Sequence, residues 1–449
     1  MKPATIIALA SGAGRAGVAL IRLSGPDAGA ALKALTGRDL PKPRMATREA
    51  FCDPRSGVSL DDGLALWFPG PASFTGEDVA ELHVHGGPAV IAAVIDAALS
   101  LPGVRPAEPG EYTRRAFEHG KLDLAEAEGL ADLVDAETEG QRVQALRQRR
   151  GALSGLYEGW RGRLIEAAAL IEAEIDFPDE DLPGALAQRA GPMLQALAAD
   201  MARHLDDAHR GERVRDGFRI AIVGPPNAGK SSLLNALAQR EAAIVSDIPG
   251  TTRDVVEVRL TLAGFPVWIA DTAGLREAAD AIEAEGVRRA LARAEEADLR
   301  IGVVDAGAAI PGSVSAVLGP GDLLVRSKLD LLGPPASRRP TPEPAGETPA
   351  VHVSAVTGEG LRGLETVIAA RVADALGREE APVLTRARHR RLVEAARNAL
   401  LRAIPALDHG AELAAEDVRV AADQIGRLTG RIDVEDLLGE IFSSFCIGK

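Results

Sequence analysis

Short apolar runs, rich in β-branched residues and separated by turn-forming residues, recur through the first quarter of the chain. Runs of this length predict β-strands, and helical spacing after Pro26 and after Pro88 predicts interleaved helices. Strands mixed with helices in this way indicate an α+β domain, which we expect over residues 1–118. The predicted strands lie at residues 5–10, 18–24, 64–68 and 79–84.

The hydrophobic period changes from residue 122 onward. Apolar residues then recur at steps of three and four, the spacing of an amphipathic helix, until Asp176-Phe177-Pro178 ends it. The same spacing returns between Leu392 and Leu428. The first stretch is defined by Leu153, Leu156, Trp160, Leu164, Ile171 and Ile175.

A region with a different pattern separates these two helical stretches. We therefore expect a multidomain chain, in which residues 119–216 and 376–449 form one all-α helical domain and an α/β domain at 217–375 is inserted into it. The Pro-rich segment 333–349 is predicted to be a flexible loop inside the inserted domain.

The inserted domain opens with a phosphate-binding loop. The β-branched run 219–223 predicts a buried strand, residues 224–231 read GPPNAGKS, and a predicted helix follows. Glycines let the backbone wrap around phosphates, and the helix N-terminus points its N–H groups at the anion. We expect Lys230 to reach the β and γ phosphates and the Ser231 hydroxyl to ligate Mg²⁺.

Two further motifs are predicted to contact the γ-phosphate or its Mg²⁺. Asp271-Thr272-Ala273-Gly274 follows an apolar strand, so Asp271 is expected to hold the Mg²⁺ shell and Gly274 to meet the γ-phosphate through its N–H. The segment Gly250-Thr251-Thr252-Arg253-Asp254 lies between the loop and this strand, where Thr252 can close over Mg²⁺.

Two more motifs select the base. Ser327-Lys328-Leu329-Asp330 follows the apolar run 323–326, and the Asp330 carboxylate can accept from two donors of guanine that adenine does not offer in that arrangement. Ser354-Ala355 follows a third short strand and is expected to brace the base. Because all five motifs occur in order, the sequence predicts an enzyme that binds and hydrolyses GTP.

The sequence departs from the usual pattern of such GTPases at two positions. Ser327 stands where Asn is usual, so we expect weaker affinity, with base choice kept by Asp330. Leu275 stands where small signalling GTPases carry the Gln that orients the attacking water. A polar residue of the following segment must replace that Gln, and the pattern does not choose among Arg276, Glu277, Asp280, Glu283 and Glu285.

Composition then limits the partners. The chain has 449 residues and a formal net charge of −14, which argues against indiscriminate coating of nucleic acid or anionic membrane. Its two cysteines, Cys52 and Cys446, do not suggest a disulfide scaffold and suit a reducing compartment. No stretch has the roughly 18 apolar residues of a membrane span. We expect a soluble cytoplasmic protein that does not use a membrane.

Some patterns have two interpretations. The GAGRAG segment at 12–17 matches a dinucleotide fingerprint, but a strand rather than a helix follows it, so a hairpin connection is the better interpretation. His83 and His85 alternate along one predicted strand, and without a third ligand they are interpreted as structural. The basic residues either contact RNA phosphates or form solvated helix faces. They are Arg147, Arg149, Arg150, Arg386, Arg388, Arg390 and Arg391.

Four segments carry a resemblance to a known family. They are GRAGVALIRLSGP near the start, SFTGEDVAELHVHGGP at 73–88, PGEYTRRAF and KLDLAEAEGLADL from Pro109, and the C-terminal DLLGEIFSSFCIGK. Along essentially its whole length the chain resembles the bacterial tRNA modification GTPase family MnmE, also called TrmE. The resemblance implies a homodimer formed through N-terminal domains that bind 5-formyl-tetrahydrofolate or a related folate. It also implies an FAD-containing partner, MnmG (GidA), with which such proteins modify C5 of the wobble uridine in certain tRNAs.

The resemblance also implies roles for individual residues. Folate contacts fall on Arg22, Glu81, Lys121 and Lys449. Potassium beside the phosphates falls on Asn227, Ser246, Ile248 and Thr251. Glu283 falls on the water-orienting position, and Cys446 on a functional C-terminal cysteine. With Lys230 these two make up the predicted catalytic set.

The full predicted nucleotide and cation site combines the motif residues with their neighbours. It comprises Asn227, Ala228, Gly229, Lys230, Ser231, Ser232, Ser246, Asp247, Ile248, Pro249, Gly250, Thr251, Thr252, Asp271, Thr272, Ala273, Gly274, Ser327, Lys328, Asp330, Ser354 and Ala355.

Two other functions compete with a tRNA-modifying GTPase. A regulatory GTPase acting as a ribosome-assembly switch would need neither the N-terminal α+β domain nor the FCIGK end. A folate-binding protein with a degenerate nucleotide site is disfavoured by the intact Lys230, Ser231, Thr252 and Asp271.

Overall fold

The computed structural model describes residues 4–176, 186–207, 209–240, 257–271, 294–332, 350–377, 383–432, 435–443 and 445–448. The predicted loop at 333–349 therefore lies outside the described residues. Within the described ranges, none of the helices combines the length and the apolar character that a membrane span requires.

The chain divides into two compact units. One contains residues 1–131, 147–198 and 395–449, and the other contains residues 132–146 and 199–394. The predicted domain boundaries at 118, 216 and 375 remain predictions.

The first unit contains a six-stranded sheet in the order β3-β4-β5-β2-β1-β6. All neighbouring strands are antiparallel except β1 and β6, which are parallel. Since β1 and β2 pair antiparallel, residues 12–15 of the GAGRAG segment lie in the predicted hairpin connection, and its last two residues begin β2. The strands are β1 (Thr5–Leu9), β2 (Ala16–Ser24), β3 (Thr47–Cys52), β4 (Ser59–Phe68), β5 (Val79–Gly86) and β6 (Val104–Pro106).

Alternation along these strands sends one set of side chains into a core. Ile21 and Leu23 of β2 and Leu82 of β5 are completely buried, together with residues of α1 (Ala28–Thr36) and α2 (Pro88–Leu99). The residues between them, including Arg22 and Glu81, point to the opposite face of the sheet. The helices thus cover one face and leave the candidate folate residues on the other.

Helices make up the rest of the first unit. The predicted long amphipathic helix is α6 (Ala152–Asp176), whose buried residues Leu153, Trp160 and Leu164 keep the predicted spacing. It packs along α13 (Ala411–Thr429). The remaining helices that lie in or enter this unit are α3 (Glu111–Glu118), α4 (Leu124–Asp135), α5 (Glu139–Arg149), α7 (Leu186–Leu205), α12 (Ala387–Ala406) and α14 (Glu435–Ser443).

The second unit contains another six-stranded sheet, in the order β12-β11-β10-β7-β9-β8. Every neighbouring pair is parallel except the β8–β9 hairpin. The strands are β7 (Phe218–Val223), β8 (Glu257–Leu262), β9 (Phe265–Asp271), β10 (Leu299–Asp305), β11 (Leu323–Ser327) and β12 (Ala350–His352). The helices are α8 (Arg210–Asp216), α9 (Lys230–Arg240), α10 (Gly312–Ser315) and α11 (Leu361–Leu376), with a 3₁₀ turn at Leu329–Leu332.

This sheet is buried by helices because its central strands are almost entirely apolar. Ile220, Ile222, Ile301, Val303 and Val325 are at most 1% exposed, and residues of α9 and α11 join them in one core. In parallel sheets of this type ligands bind beyond the carboxyl ends of the strands. The observed architecture confirms the predicted fold class: an α+β N-terminal domain, a helical domain and an α/β domain with a phosphate-binding loop.

Candidate functional site

The phosphate-binding loop lies at the carboxyl end of β7, as predicted. Val223 is the last strand residue and Lys230 the first residue of α9. At Gly224 a Cβ atom would lie 2.2 Å from the Val303 carbonyl oxygen, so only glycine lets the loop leave the sheet here. Asn227 and Gly229 have φ of 60° and 87°, which curls the loop back toward the helix N-terminus.

Lys230 is buried at the centre of this loop. The residue is 5% exposed, and Nζ donates to the carbonyl oxygens of Gly224 (2.8 Å) and Pro225 (2.7 Å). The ammonium group and the N-terminus of α9 thus place positive charge on the same side of the loop. This arrangement suits a polyphosphate, since Lys230 can turn a donor toward the anion while it keeps the loop closed.

The Asp330 carboxylate is oriented by the next loop. Oδ1 accepts a hydrogen bond of 2.6 Å from the hydroxyl of Ser354, which is completely buried. The Ser354 hydroxyl in turn accepts from the backbone N–H of Thr357 at 3.1 Å. The rest of the carboxylate keeps lone pairs for two donors side by side, the pattern on the guanine edge. The structure therefore brings together two predicted site residues, Ser354 and Asp330, and their contact with a base stays a prediction.

Ser327 joins the base loop to the phosphate loop. It is 4% exposed, and its Oγ donates to the Ala228 carbonyl oxygen at 2.6 Å, with the Val304 carbonyl oxygen at 3.3 Å. The sequence predicted only that a hydroxyl is a partial replacement for the usual amide. The tie to Ala228 was missed because it joins residues 99 positions apart.

Lys328 and Asp305 form an ion pair beside this tie. Lys328 has φ of 57°, and its Nζ lies 3.2 Å from Asp305 Oδ2. Asp305 closes β10 and was not among the predicted site residues. A strand that ends in Asp directly before a glycine-containing turn is a signal that could have indicated it.

The γ-phosphate motifs are described only in part. Asp271 is the last residue of β9 and pairs in register with Ile222 of β7, so its backbone ends beside the phosphate-binding loop. The other predicted residues of this region lie outside the described residues. They are Ser246, Asp247, Ile248, Pro249, Gly250, Thr251, Thr252, Thr272, Ala273, Gly274 and Glu283, together with the alternatives Arg276, Glu277, Asp280 and Glu285.

A second candidate site lies on the face of the first sheet opposite α1 and α2, where Tyr112 of α3 packs against Ile6 and Ala8. Arg22 of β2 and Glu81 of β5 are direct partners in register, and Arg22 Nη2 lies 2.9 Å from Glu81 Oε1. The guanidinium carbon lies 5.8 Å from the ring centroids of both Phe74 and Tyr112. Predicted from a resemblance alone, Arg22 and Glu81 are thus brought together.

Tyr112 and its neighbours hold this face in place. The Tyr112 hydroxyl donates to the Arg22 carbonyl oxygen at 2.6 Å, and burial raises the pKa of this phenol far above its ordinary value. Arg115 binds Glu77 at 2.9 Å and Glu111 at 2.8 Å. Burial by itself would raise the pKa of Glu111, but hydrogen bonds from Arg105, the Glu108 N–H and Arg115 outweigh it and lower the pKa. Sequence reasoning missed Phe74, Tyr112 and Arg115.

The C-terminal tail packs against the same N-terminal domain. The backbone N–H of Gly110 donates to the Cys446 carbonyl oxygen at 3.5 Å. A Cβ atom on Gly448 would lie 2.1 Å from the carbonyl oxygen of Leu9, which is paired with Ile21. The tail thus reaches the β1–β2 hairpin next to Arg22, within one chain. Lys449 lies outside the described residues. Lys121 lies next to Gly76, because a Cβ atom added to Gly76 would be 3.3 Å from Lys121 Cε.

Several of the residues with two interpretations lie close to charged groups of the chain. His85 Nδ1 lies 2.8 Å from Asp61 Oδ1, and His83 Nε2 lies 3.6 Å from Glu81 Oε2. Two of the candidate RNA-binding arginines are used internally, since Arg386 pairs with Asp132 at 2.7 Å and Arg390 with Asp207 at 2.6 Å. The structure thus pairs these two arginines within the chain, and a contact of the basic residues with RNA stays a prediction.

Two protein-family models match this chain. Residues 5–121 match the N-terminus of the GTP-binding protein TrmE, and residues 124–446 match the MnmE helical domain. The second match spans both helical stretches and the sheet inserted between them.

Curated relatives match over the full length. The tRNA modification GTPase MnmE of Parvibaculum lavamentivorans is 60% identical over 449 residues, which cover 99% of this chain and 100% of that protein. That of Maricaulis maris is 60% identical over 447 residues, covering 99% of each. A crystal structure of Aquifex aeolicus Era bound to GDP and AlF₄⁻ is 26% identical with a TM-score of 0.28, covering 41% of this chain and 66% of that one. Both family models and both full-length relatives indicate the same family, so the chain belongs to the tRNA modification GTPase family MnmE.

Proposed function

We propose that this GTPase modifies tRNA. With an FAD-containing partner, MnmG (GidA), it adds an aminomethyl or carboxymethylaminomethyl group to C5 of the wobble uridine of certain tRNAs. GTP hydrolysis accompanies the reaction, and 5-formyl-tetrahydrofolate or a related folate donates the one-carbon unit.

The nucleotide half of the proposal rests on one observation above all. The Ser354 hydroxyl holds Asp330 Oδ1 at 2.6 Å and leaves the other lone pairs of the carboxylate for a ligand, and Ser327 ties the base loop to the phosphate-binding loop through Ala228. A carboxylate fixed in this way can accept hydrogen bonds from two adjacent donors, which guanine has. Lys230 and the N-terminus of α9 supply the positive charge for the phosphates.

Cations fit the same loop. Ser231 is exposed in the first turn of α9 and is the proposed protein ligand of Mg²⁺, with Thr252 and Asp271 as further members of its shell. The exposed Asn227, on backbone with φ of 60°, offers an amide oxygen for K⁺, for which Ser246, Ile248 and Thr251 are further proposed ligands. Both ions offset negative charge that develops on the phosphates.

Glu283 is the proposed water-orienting residue, since Leu275 cannot hold a water. In this scheme Lys230 stabilises the negative charge at the γ-phosphate. The protein then needs no Gln at position 275, where small signalling GTPases have one.

The proposed folate site rests on an acidic and a basic side chain that lie together on one face of the first sheet. A pterin has donors and acceptors along one edge, which suits the Glu81 carboxylate, and a glutamyl tail carries carboxylates, which suit Arg22, Lys121 or Lys449. Phe74 and Tyr112 flank Arg22 and give a flat ring an aromatic surface. The tail segment with Cys446 and Gly448 ends beside this face, which supports a shared site.

The macromolecular partners rest on the family. The relatives are named as tRNA modification GTPases, which supports tRNA as the substrate. A homodimer through the N-terminal domains and the partner MnmG extend the same proposal. A cytoplasmic location follows from a tRNA substrate.

A ribosome-assembly switch is the competing function. It would use the nucleotide loops but leave the Arg22–Glu81 face and the docked tail without a role. Nucleoside analysis of tRNA from cells lacking this protein separates the two. We expect loss of the C5 substituent on the wobble uridine, with normal ribosome profiles. Intact wobble uridines together with accumulated ribosomal subunits would support the switch instead.

A further inference from the structure

Ser327 occupies the position from which a GTPase of this type usually presents an amide. An Asn amide carries two N–H donors and one acceptor, so it can bind a backbone carbonyl and still donate to the base. A serine hydroxyl has a single hydrogen. Where that hydrogen goes decides whether residue 327 can donate to the guanine.

The surroundings of Ser327 direct the hydrogen away from the base. Within the described residues, both atoms hydrogen-bonded to Oγ are acceptors, the carbonyl oxygens of Ala228 at 2.6 Å and Val304 at 3.3 Å. The shorter distance is that of a strong hydroxyl hydrogen bond. Ser327 is also 4% exposed and Ala228 is 2% exposed, so water does not compete for this bond. Turning the hydrogen elsewhere would leave the buried Ala228 carbonyl without its partner.

The guanine edge that carries N7 offers acceptors only. A residue that recognises N7 must therefore donate a hydrogen, and Ser327 has none to give. Resting on the guanine-nucleotide site proposed above, we infer that residue 327 fastens the two nucleotide loops together but does not read N7. Base choice is then made at the N1 and N2 side, where Asp330 accepts. This chain consequently binds guanine nucleotides that lack the N7 acceptor.

Competition binding tests this inference without any need for hydrolysis. The full-length protein is loaded with a fluorescent GDP analogue, which is displaced by GDP, by 7-deaza-GDP, in which C–H replaces N7, or by inosine diphosphate, which lacks the 2-amino group. We expect GDP and 7-deaza-GDP to bind within about twofold of each other. Inosine diphosphate should bind roughly tenfold or more weakly, because Asp330 loses one charge-assisted bond.

Two variants act as matched controls. Ser327→Asn restores a second donor and should favour GDP over 7-deaza-GDP by about threefold to tenfold, the value of one added hydrogen bond. Ser327→Ala removes the tie to Ala228 and should weaken both nucleotides by the same factor. A preference of tenfold or more for GDP over 7-deaza-GDP in the unchanged protein would overturn the inference. Failure of every guanine nucleotide to displace the probe would instead refute the proposed GTP site itself.

Discussion

Asp330 is the residue on which we propose that base recognition depends. Its Oδ1 accepts a hydrogen bond from the Ser354 hydroxyl, and the remaining lone pairs of the carboxylate are the proposed acceptors for guanine N1 and N2. Its position in a 3₁₀ turn directly after β11 keeps the side chain beyond the end of the sheet.

Asp330→Asn should therefore move base preference from guanine to xanthine. An amide at this position replaces one acceptor by a donor, which matches the second carbonyl of xanthine. We expect kcat/KM for GTP to fall roughly tenfold to a hundredfold and activity with xanthosine triphosphate to rise. Steady-state hydrolysis of both nucleotides measures this change. Hydrolysis of ATP at a rate similar to GTP by the unchanged protein would refute the role of Asp330.

Asn227 is the residue on which the response to potassium should depend. Hydrolysis should be faster in potassium than in sodium by roughly tenfold or more, since a cation beside the phosphates offsets charge in the transition state. Asn227→Ala should lose this difference between the salts. Phosphate-release assays at equal ionic strength measure both. Equal hydrolysis rates of the unchanged protein in the two salts would contradict the proposed potassium site.

Glu283 should act on the rate and not on binding. We expect Glu283→Ala to lower kcat about a hundredfold or more, the usual size of a general-base effect, while GDP affinity stays within about twofold. Glu285→Ala is the matched control, since the sequence alone left this neighbour as an alternative. A larger loss in Glu285→Ala than in Glu283→Ala would reassign the role.

At the scale of elements, α3 is fixed to the first sheet by ion pairs as well as by packing. Arg115 joins Glu111 on the same helix to Glu77, and Tyr112 contacts the Arg22 backbone. The pKa of Glu111 is lowered in the folded protein, so its charged form contributes stability above its ordinary pKa of 4.5 and this contribution disappears as the pH falls.

Glu111→Gln should consequently destabilise the protein in a way that depends on pH. At pH 7 we expect a loss of about 1–3 kcal/mol, the range for hydrogen bonds to a charged group. The difference between the variant and the unchanged protein should narrow below about pH 4.5, as the native carboxylate is protonated. Urea unfolding followed by circular dichroism at several pH values measures it. A difference that stays constant between pH 7 and pH 4 would mean that Glu111 acts by shape and not by charge.

Elements with an uninterrupted pattern could be predicted from the sequence. The strand at 219–223, the loop at 224–231 and the helix after it were predicted because a β-branched run, a glycine-rich motif and a helical pattern follow each other directly. The strand β3 was missed since its inward positions include the buried but charged Glu49 beside Phe51, which breaks the apolar alternation. The links from Ser327 to Ala228 and from Tyr112 to Arg22 arise only from tertiary packing, and no local pattern encodes them.

At the scale of the whole molecule, the two ends of the chain meet in one compact unit. Phe445 packs against Phe442, whose ring lies 6.4 Å from that of Phe117, and Gly448 approaches Leu9. The nucleotide motifs belong to the other unit.

Deletion of residues 445–449 should thus separate two activities. We expect formyl-tetrahydrofolate binding to weaken and tRNA modification to be lost, while basal GTP hydrolysis stays near normal. Isothermal titration with the folate and a GTPase assay on the same truncated protein measure both. Unchanged folate affinity would mean that the tail serves the partner protein or the tRNA.

The most direct test of a tRNA-modifying GTPase couples the two reactions in one assay. Purified protein, the FAD-containing partner, unmodified tRNA and the folate donor are incubated with GTP or with a non-hydrolysable GTP analogue, and the wobble nucleoside is quantified by mass spectrometry. We expect the C5-substituted uridine to form with GTP and to be nearly absent with the analogue. Equal product in both reactions, or no product with GTP, would contradict the proposed function.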